Sequence, residues 1–151
     1  MSFTTISVIG LGYIGLPTAA AFASRQKHVI GVDINQQAVD TINRGAIHIV
    51  EPDLDSVVKT AVEGGFLRAT TTPVAADAYL IAVPTPFKGD HDPDMVYVEA
   101  AAKSIAPVLK KGALVILEST SPVGATEQMA AWLAEMRPDL TFPQQAGNRL
   151  M

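Results

Sequence analysis

Three glycines, Gly10, Gly12 and Gly15, stand in the spacing G-x-G-x-x-G, and a carboxylate, Asp33, follows 18 residues after the last of them. Such a set suits a dinucleotide. Gly10 lets the chain turn sharply at the end of a strand, Gly12 lets backbone approach a pyrophosphate, and Gly15 lets the following helix pack closely on a sheet. Free N–H groups at that helix start face the phosphates. Asp33 lies near the distance along the chain expected of an acid that accepts hydrogen bonds from the adenosine ribose. No Arg or Lys follows Asp33 until Arg44, so a ribose 2′-phosphate would meet like charge. The expectation is NAD rather than NADP, with a penalty for NADP on the order of 2 kcal/mol from lost charge-assisted hydrogen bonds.

Two hydroxyls are also placed for ligand contact. Thr85 and Thr120 each follow an apolar run, at the carboxyl ends of strands where doubly wound sheets bind ligands. Either could equally cap a turn. Asp90-His91-Asp92-Pro93-Asp94 has the look of a metal loop, but an EF-hand register would need Gly at 95 and Glu at 101, where Met95 and Ala101 stand. A solvated loop is expected there. His28 and His48 have no partner at ligand spacing and read as structural or solvent-facing. Neither a G-x-S-x-G elbow nor a phosphate-binding Walker loop is present.

The elements that must position these groups follow from periodicity. Ile6 to Ile9 is a strand, Leu16 to Ser24 a helix that tolerates Pro17 in its first turn, and Val29 to Val32 a second strand ending at Asp33. Asn35 is a plausible N-cap for a helix over 36–44 that Gly45 stops. Leu54, Val57, Val58, Ala61 and Val62 form a helical stripe closed by Gly64-Gly65, and a strand near 66–70 follows. Tyr79 to Val83 is a buried strand. Asp94 can cap a helix carrying Val98, Ala102, Ile105 and Leu109, which Pro107 must distort or end. Ala113 to Leu117 is a further strand, and Thr126 to Met136 a helix whose Met129, Trp132, Leu133 and Met136 read as core. Strands and helices alternate, so the fold class is α/β: a Rossmann-like doubly wound parallel sheet, order 3-2-1-4-5, with the ligand crevice beside strands 1 and 4. No sixth strand is visible.

Composition sets outer bounds. The 151 residues suit one domain with one core, and 48% apolar with 17% charged residues is ordinary for a globular chain. A net charge of −4 without a basic stripe argues against nucleic acid. The first 24 residues carry no charged side chain, yet the missing basic n-region and the Gly and Pro breaks argue against a secretory signal. No apolar span approaches 20 residues, so no membrane insertion is expected and the location reads as cytoplasmic. Zero cysteines leave this chain without disulfides, thiolate metal sites or a cysteine nucleophile.

Five motifs in order, Gly10-Leu11-Gly12-Tyr13-Ile14-Gly15-Leu16-Pro17, Val32-Asp33, Glu51-Pro52-Asp53-Leu54, Val83-Pro84-Thr85-Pro86 and Glu118 to Gly124, resemble the amino-terminal domain of the UDP-glucose/GDP-mannose dehydrogenases. The resemblance covers residues 1–147 as an NAD-binding domain and leaves 148–151 outside the family pattern. It implies NAD-dependent oxidation of a sugar C6 alcohol to a carboxylate through two hydride transfers. Within the family it points to the branch that acts on UDP-N-acetyl-D-mannosamine, making the uronate for surface polysaccharide such as enterobacterial common antigen. It also implies that Tyr13 and Ile14 meet the pyrophosphate through backbone, that Asp33 meets the ribose, that Thr85 and Thr126 line the rest of the NAD site, and that Thr120 positions the reactive water or substrate oxygen.

One departure bears on activity. The family's second oxidation uses a cysteine nucleophile to capture the aldehyde, and this chain has none. The expectation is therefore a truncated dehydrogenase that keeps cofactor affinity and is inactive alone, taking a UDP-sugar only in the complete enzyme. Self-association through the exposed edge of the Ala113 to Leu117 strand and nearby uncovered apolar surface is expected too. The alternative is a free-standing NAD-responsive binding module with a protein partner. A hydroxyacid dehydrogenase cofactor domain would fit the first motif but leave Pro84-Thr85-Pro86 and residues 118–124 unexplained.

Overall fold

The computed structural model describes residues 4–84, 95–118 and 124–140, together with the backbone of residues 87–88 and 92–93. Its centre is a five-stranded parallel sheet. The strands are β1 (Thr5–Ile9), β2 (His28–Val32), β3 (Leu67–Thr70), β4 (Ala78–Ile81) and β5 (Leu114–Leu117), in the order β3-β2-β1-β4-β5. This is the order expected from the sequence. Phe87–Lys88 and Asp92–Pro93 pair antiparallel as a separate ribbon within the stretch read as a loop.

Helices cover both faces. On one lie α1 (Gly15–Ser24), α2 (Gln36–Asn43) and α3 (Leu54–Glu63), whose Leu16, Ala19, Val39, Ile42 and Val58 share a core with Val8 and Val29. On the other lie α4 (Val96–Ile105) and α5 (Ala125–Met136), which bury Val98, Ile105, Met129 and Leu133 against Tyr79 and Ile81. Asn35 caps α2 as expected, its side chain accepting from the Gln37 and Ala38 amides. Pro107 has the effect foreseen: α4 ends at Ile105 and passes into a short 3₁₀ turn, Ala106–Val108.

Three expectations differ. Strand and helix do not alternate throughout, because α2 and α3 both fall between β2 and β3, and residues 71–77 join β3 to β4 without a helix. That connection earns its place by burying Ala76 in the second core. The cap residue of α4 is Met95, which makes no side-chain cap hydrogen bond, and Asp94 lies outside the described residues. The stripe on α5 is core at Met129 and Leu133 and half-buried at Trp132, but Met136 is 44% exposed. It is the last residue of the helix.

Candidate cofactor site

Register brings the site residues into one row. Ile9 is level with Val32 and with Ile81, Val32 with Thr70, and Ile81 with Leu117. One step beyond the sheet edge therefore stand Thr71, Asp33, Gly10, Ala82 and Glu118. Backbone bonds fix that row: Gly10 N–H to Val32 O (2.7 Å), Ala82 N–H to Ile9 O (2.8 Å), Asp33 N–H to Thr70 O (3.1 Å) and Glu118 N–H to Ile81 O (2.8 Å). The row crosses the switch point between β1 and β4, where such sheets bind ligands.

The glycines have distinct geometric causes. Gly10 has φ +97°, and a Cβ there would come within 2.5 Å of the Ala82 carbonyl oxygen. At Gly15 a Cβ would overlap the Gly10 carbonyl oxygen and touch the Ala82 side chain, so α1 can start this close to the sheet only without one. Around Gly12 nothing lies within 4 Å of that position, which leaves backbone open to a group from outside. The amides of Gly12, Tyr13, Ile14 and Gly15 donate to no acceptor among the described residues. Four N–H groups without acceptors in the turn that leads into a helix start, where partial positive charge gathers, suit an anion.

Asp33 is tied to this turn. Its Oδ2 accepts the Leu11 amide at 2.9 Å and its Oδ1 the Asn35 amide at 2.9 Å. Each carboxylate oxygen has a second lone pair, so the group can hold the loop and still accept ribose hydroxyls. Arg44 caps the far end of α2, nine residues beyond Asn35 and so about 13 Å away along a helix. It cannot neutralise a 2′-phosphate beside Asp33.

Tyr13 and Ile14 are 64% and 48% exposed beside the glycine turn. Thr126 is exposed in the first turn of α5. Thr85 and Thr120 lie outside the described residues. His28 and His48 are both exposed, as expected, with the His28 ring tilted against Phe66 at 5.5 Å. The described residues hold no group of three His, Cys, Asp or Glu placed for a metal, and none of their helices is long and apolar enough to cross a membrane.

Sequence reasoning missed one contact beside the row. Thr18, one turn into α1, places its hydroxyl 2.9 Å from the Ile14 carbonyl and 2.8 Å from Glu118 Oε1. Spacing alone gives no signal for a contact across 100 residues.

The description UDP-glucose/GDP-mannose dehydrogenase family, NAD binding domain, matches residues 4–147. The chain belongs to this family. It is 91% identical over 149 residues to the UDP-N-acetyl-D-mannosamine dehydrogenase of Salmonella typhi, covering 99% of this chain and 36% of that relative. To the NDP-N-acetyl-D-galactosaminuronic acid dehydrogenase of Ralstonia solanacearum it is 70% identical over 148 residues, covering 98% of this chain and 35% of that relative. The solved UDP-N-acetyl-mannosamine dehydrogenase of Staphylococcus aureus superimposes with a TM-score of 0.86 at 41% identity, over 91% of this chain and 34% of that one. The chain thus spans about a third of the length of the relatives it matches. Its segment is the family's NAD-binding domain, and the free amides, open Gly12 and carboxylate at Asp33 fit that cofactor.

Proposed function

We propose that this chain is the cofactor-holding part of an NAD-dependent dehydrogenase that oxidises UDP-N-acetyl-D-mannosamine at C6 to the uronate, a precursor of surface polysaccharide. The observation that carries the cofactor half is the cluster of unpaired amides from Gly12 to Gly15 beside Asp33. In this reading Gly10 and Gly15 shape the turn, Gly12, Tyr13 and Ile14 hold the pyrophosphate through backbone, Asp33 accepts the adenosine ribose hydroxyls, and Thr85 and Thr126 line the remainder. Thr120 positions substrate oxygen or water. Bound NAD supplies a hydride acceptor; the chain's own residues bind and orient it. The choice of sugar is supported by the 91% identity to a UDP-N-acetyl-D-mannosamine dehydrogenase against 70% to a relative named for another sugar. The cofactor module occupies 1–147, with 148–151 outside it, and the reading places it in the cytoplasm.

The second oxidation in this family uses a thiol nucleophile, which splits one difficult step into two. This chain has no cysteine, so alone it binds cofactor without completing the reaction. Self-association belongs to the same reading. Leu114 and Ile116 are 43% and 42% exposed on β5, which ends the sheet among the described residues, and an unpaired strand edge pairs readily with another chain. Sedimentation at rising concentration is expected to show growth beyond the monomer; an unchanging monomer contradicts it.

The test is calorimetric titration with NAD and NADP on the parent and on Asp33→Ala. Saturable NAD binding is expected, weaker for NADP by roughly thirtyfold, the equivalent of about 2 kcal/mol. The variant should lose at least tenfold in NAD affinity and much of the NAD preference. Equal affinity of the parent for both cofactors removes the role given to Asp33, and no binding of either removes the cofactor reading. The catalytic half is tested by incubating the chain with NAD and UDP-N-acetyl-D-mannosamine, where no NADH is expected.

A further inference from the structure

Glu118 mirrors Asp33 across the glycine turn. In the row beyond the sheet edge, Asp33 stands one strand from Gly10 on one side, and Glu118 stands two strands from it on the other, with Ala82 between. At about 4.8 Å per strand the backbones of the two acidic residues lie on the order of 14 Å apart, with Gly10 and Ala82 between them. Each Asp33 oxygen is held by one backbone donor. Glu118 differs.

Among the described residues its Oε1 meets only the Thr18 hydroxyl at 2.8 Å, and that hydroxyl also lies 2.9 Å from the Ile14 carbonyl. One hydroxyl proton thus serves two acceptors. Among the described residues the other oxygen, the buried Oε2, has no hydrogen-bond partner, and no Lys, Arg or His forms an ion pair with Glu118. A carboxylate can accept about four hydrogen bonds, and leaving a buried one short is costly. Such an oxygen lacks donors, and a ligand that reaches it would supply them.

If the adenosine side of a dinucleotide lies at Asp33 and its pyrophosphate at Gly12 to Ile14, the chain of atoms continues toward β4 and β5. That half carries what Glu118 lacks: a ribose diol, a carboxamide NH₂ and, in the oxidised cofactor, a cationic pyridinium ring. We propose that Glu118, held in place by Thr18, is the acceptor for the nicotinamide-riboside half of NAD, through Oε2. This rests on the NAD reading above. It makes Glu118 a cofactor-binding residue and Thr18 a positioning residue.

The experiment is calorimetric titration of the full chain with ADP, ADP-ribose and NAD, in the parent and in Glu118→Gln and Thr18→Val, each checked for a melting transition. Glu118→Gln is expected to leave ADP affinity within twofold and to weaken NAD by about tenfold or more, the loss of a charged hydrogen bond. If ADP-ribose weakens equally, the ribose diol is the donor; if only NAD weakens, it is the nicotinamide. Thr18→Val, which keeps the carboxylate but frees it to move, should show the same ligand-selective loss at smaller size. Retention of NAD affinity in Glu118→Gln within twofold overturns the proposal, and so does an equal loss for ADP, which marks a structural role. Should Glu118→Gln fail to fold, Thr18→Val decides by the same criterion. A parent that binds ADP but gains nothing with NAD overturns this inference alone, whereas a parent that binds none of the three overturns the NAD reading beneath it.

Discussion

At the scale of single residues, the site depends on atoms that are not there. Gly15 has no room for even one methyl group, because its Cβ position is taken by the Gly10 carbonyl oxygen. Gly15→Ala must push α1 off the sheet or bend the turn, at a cost of about 1–3 kcal/mol for such overpacking. The amides of Gly12 to Gly15 then shift. The expected result is a lowered melting temperature together with at least tenfold weaker NAD binding by calorimetry, and unchanged values for both would contradict this account of the turn. Ser7 is a quieter case: its hydroxyl is buried in β1 without a partner. Ser7→Ala removes an unsatisfied group and is expected to change stability by less than about 1 kcal/mol, or to raise it, as read from urea unfolding.

At the scale of elements, the two edges of the sheet are treated differently. Along β3 the open edge is engaged by Asn43, the last residue of α2, whose amide donates to Ala69 O at 2.9 Å and accepts from Ala69 N at 2.8 Å. One side chain thereby takes the place of a neighbouring strand, and it pins α2, which follows Asp33 directly. Asn43→Ala leaves both groups of Ala69 without their partner and is expected to cost about 1–3 kcal/mol; denaturant unfolding measures it, and a cost near zero would mean that water replaces the amide freely. Along β5 there is alternation of exposed and half-buried residues instead, although parallel strands are ordinarily covered on both faces. The periodicity of β5 in the sequence shows an apolar strand and nothing of which neighbours it has. Its exposure is a property of its place in the order.

At the scale of the whole molecule, the end of the sheet away from the site is held by charge. Asp77 accepts the Thr4 and Thr5 amides and the Thr4 hydroxyl through Oδ2, and its Oδ1 lies 3.0 Å from Lys110 Nζ. It joins the starts of β1 and β4 to the turn before β5. The Thr5 amide first, then Lys110 and Thr4, hold its carboxyl well below the usual carboxylate range. Because the folded value is the depressed one, the stabilisation is complete above the unfolded value near pH 4 and is lost as the pH falls below it. The melting temperature of Asp77→Asn is therefore expected to lie below that of the parent at pH 7, with the gap closing under about pH 4. A gap independent of pH would show that the ionised form carries none of the effect.

What the sequence by itself determined was local and periodic: the glycine spacing, the acid at the end of β2, the Asn35 cap, the helix end forced by Pro107 and the parallel order. Most of these are legible because turn sterics, capping and apolar period act within a few residues of chain, and the strand order because parallel crossovers admit few topologies. The structure alone decided which side chains meet across the sheet. It brought Glu118 to Thr18, Asn43 to Ala69 and Asp77 to Lys110, tied Asp33 to the Leu11 amide, and set α2 and α3 together before β3 with no helix before β4. Those pairings follow from strand register and from the close approach of α1 that Gly15 permits, and neither is written in the spacing of any one segment.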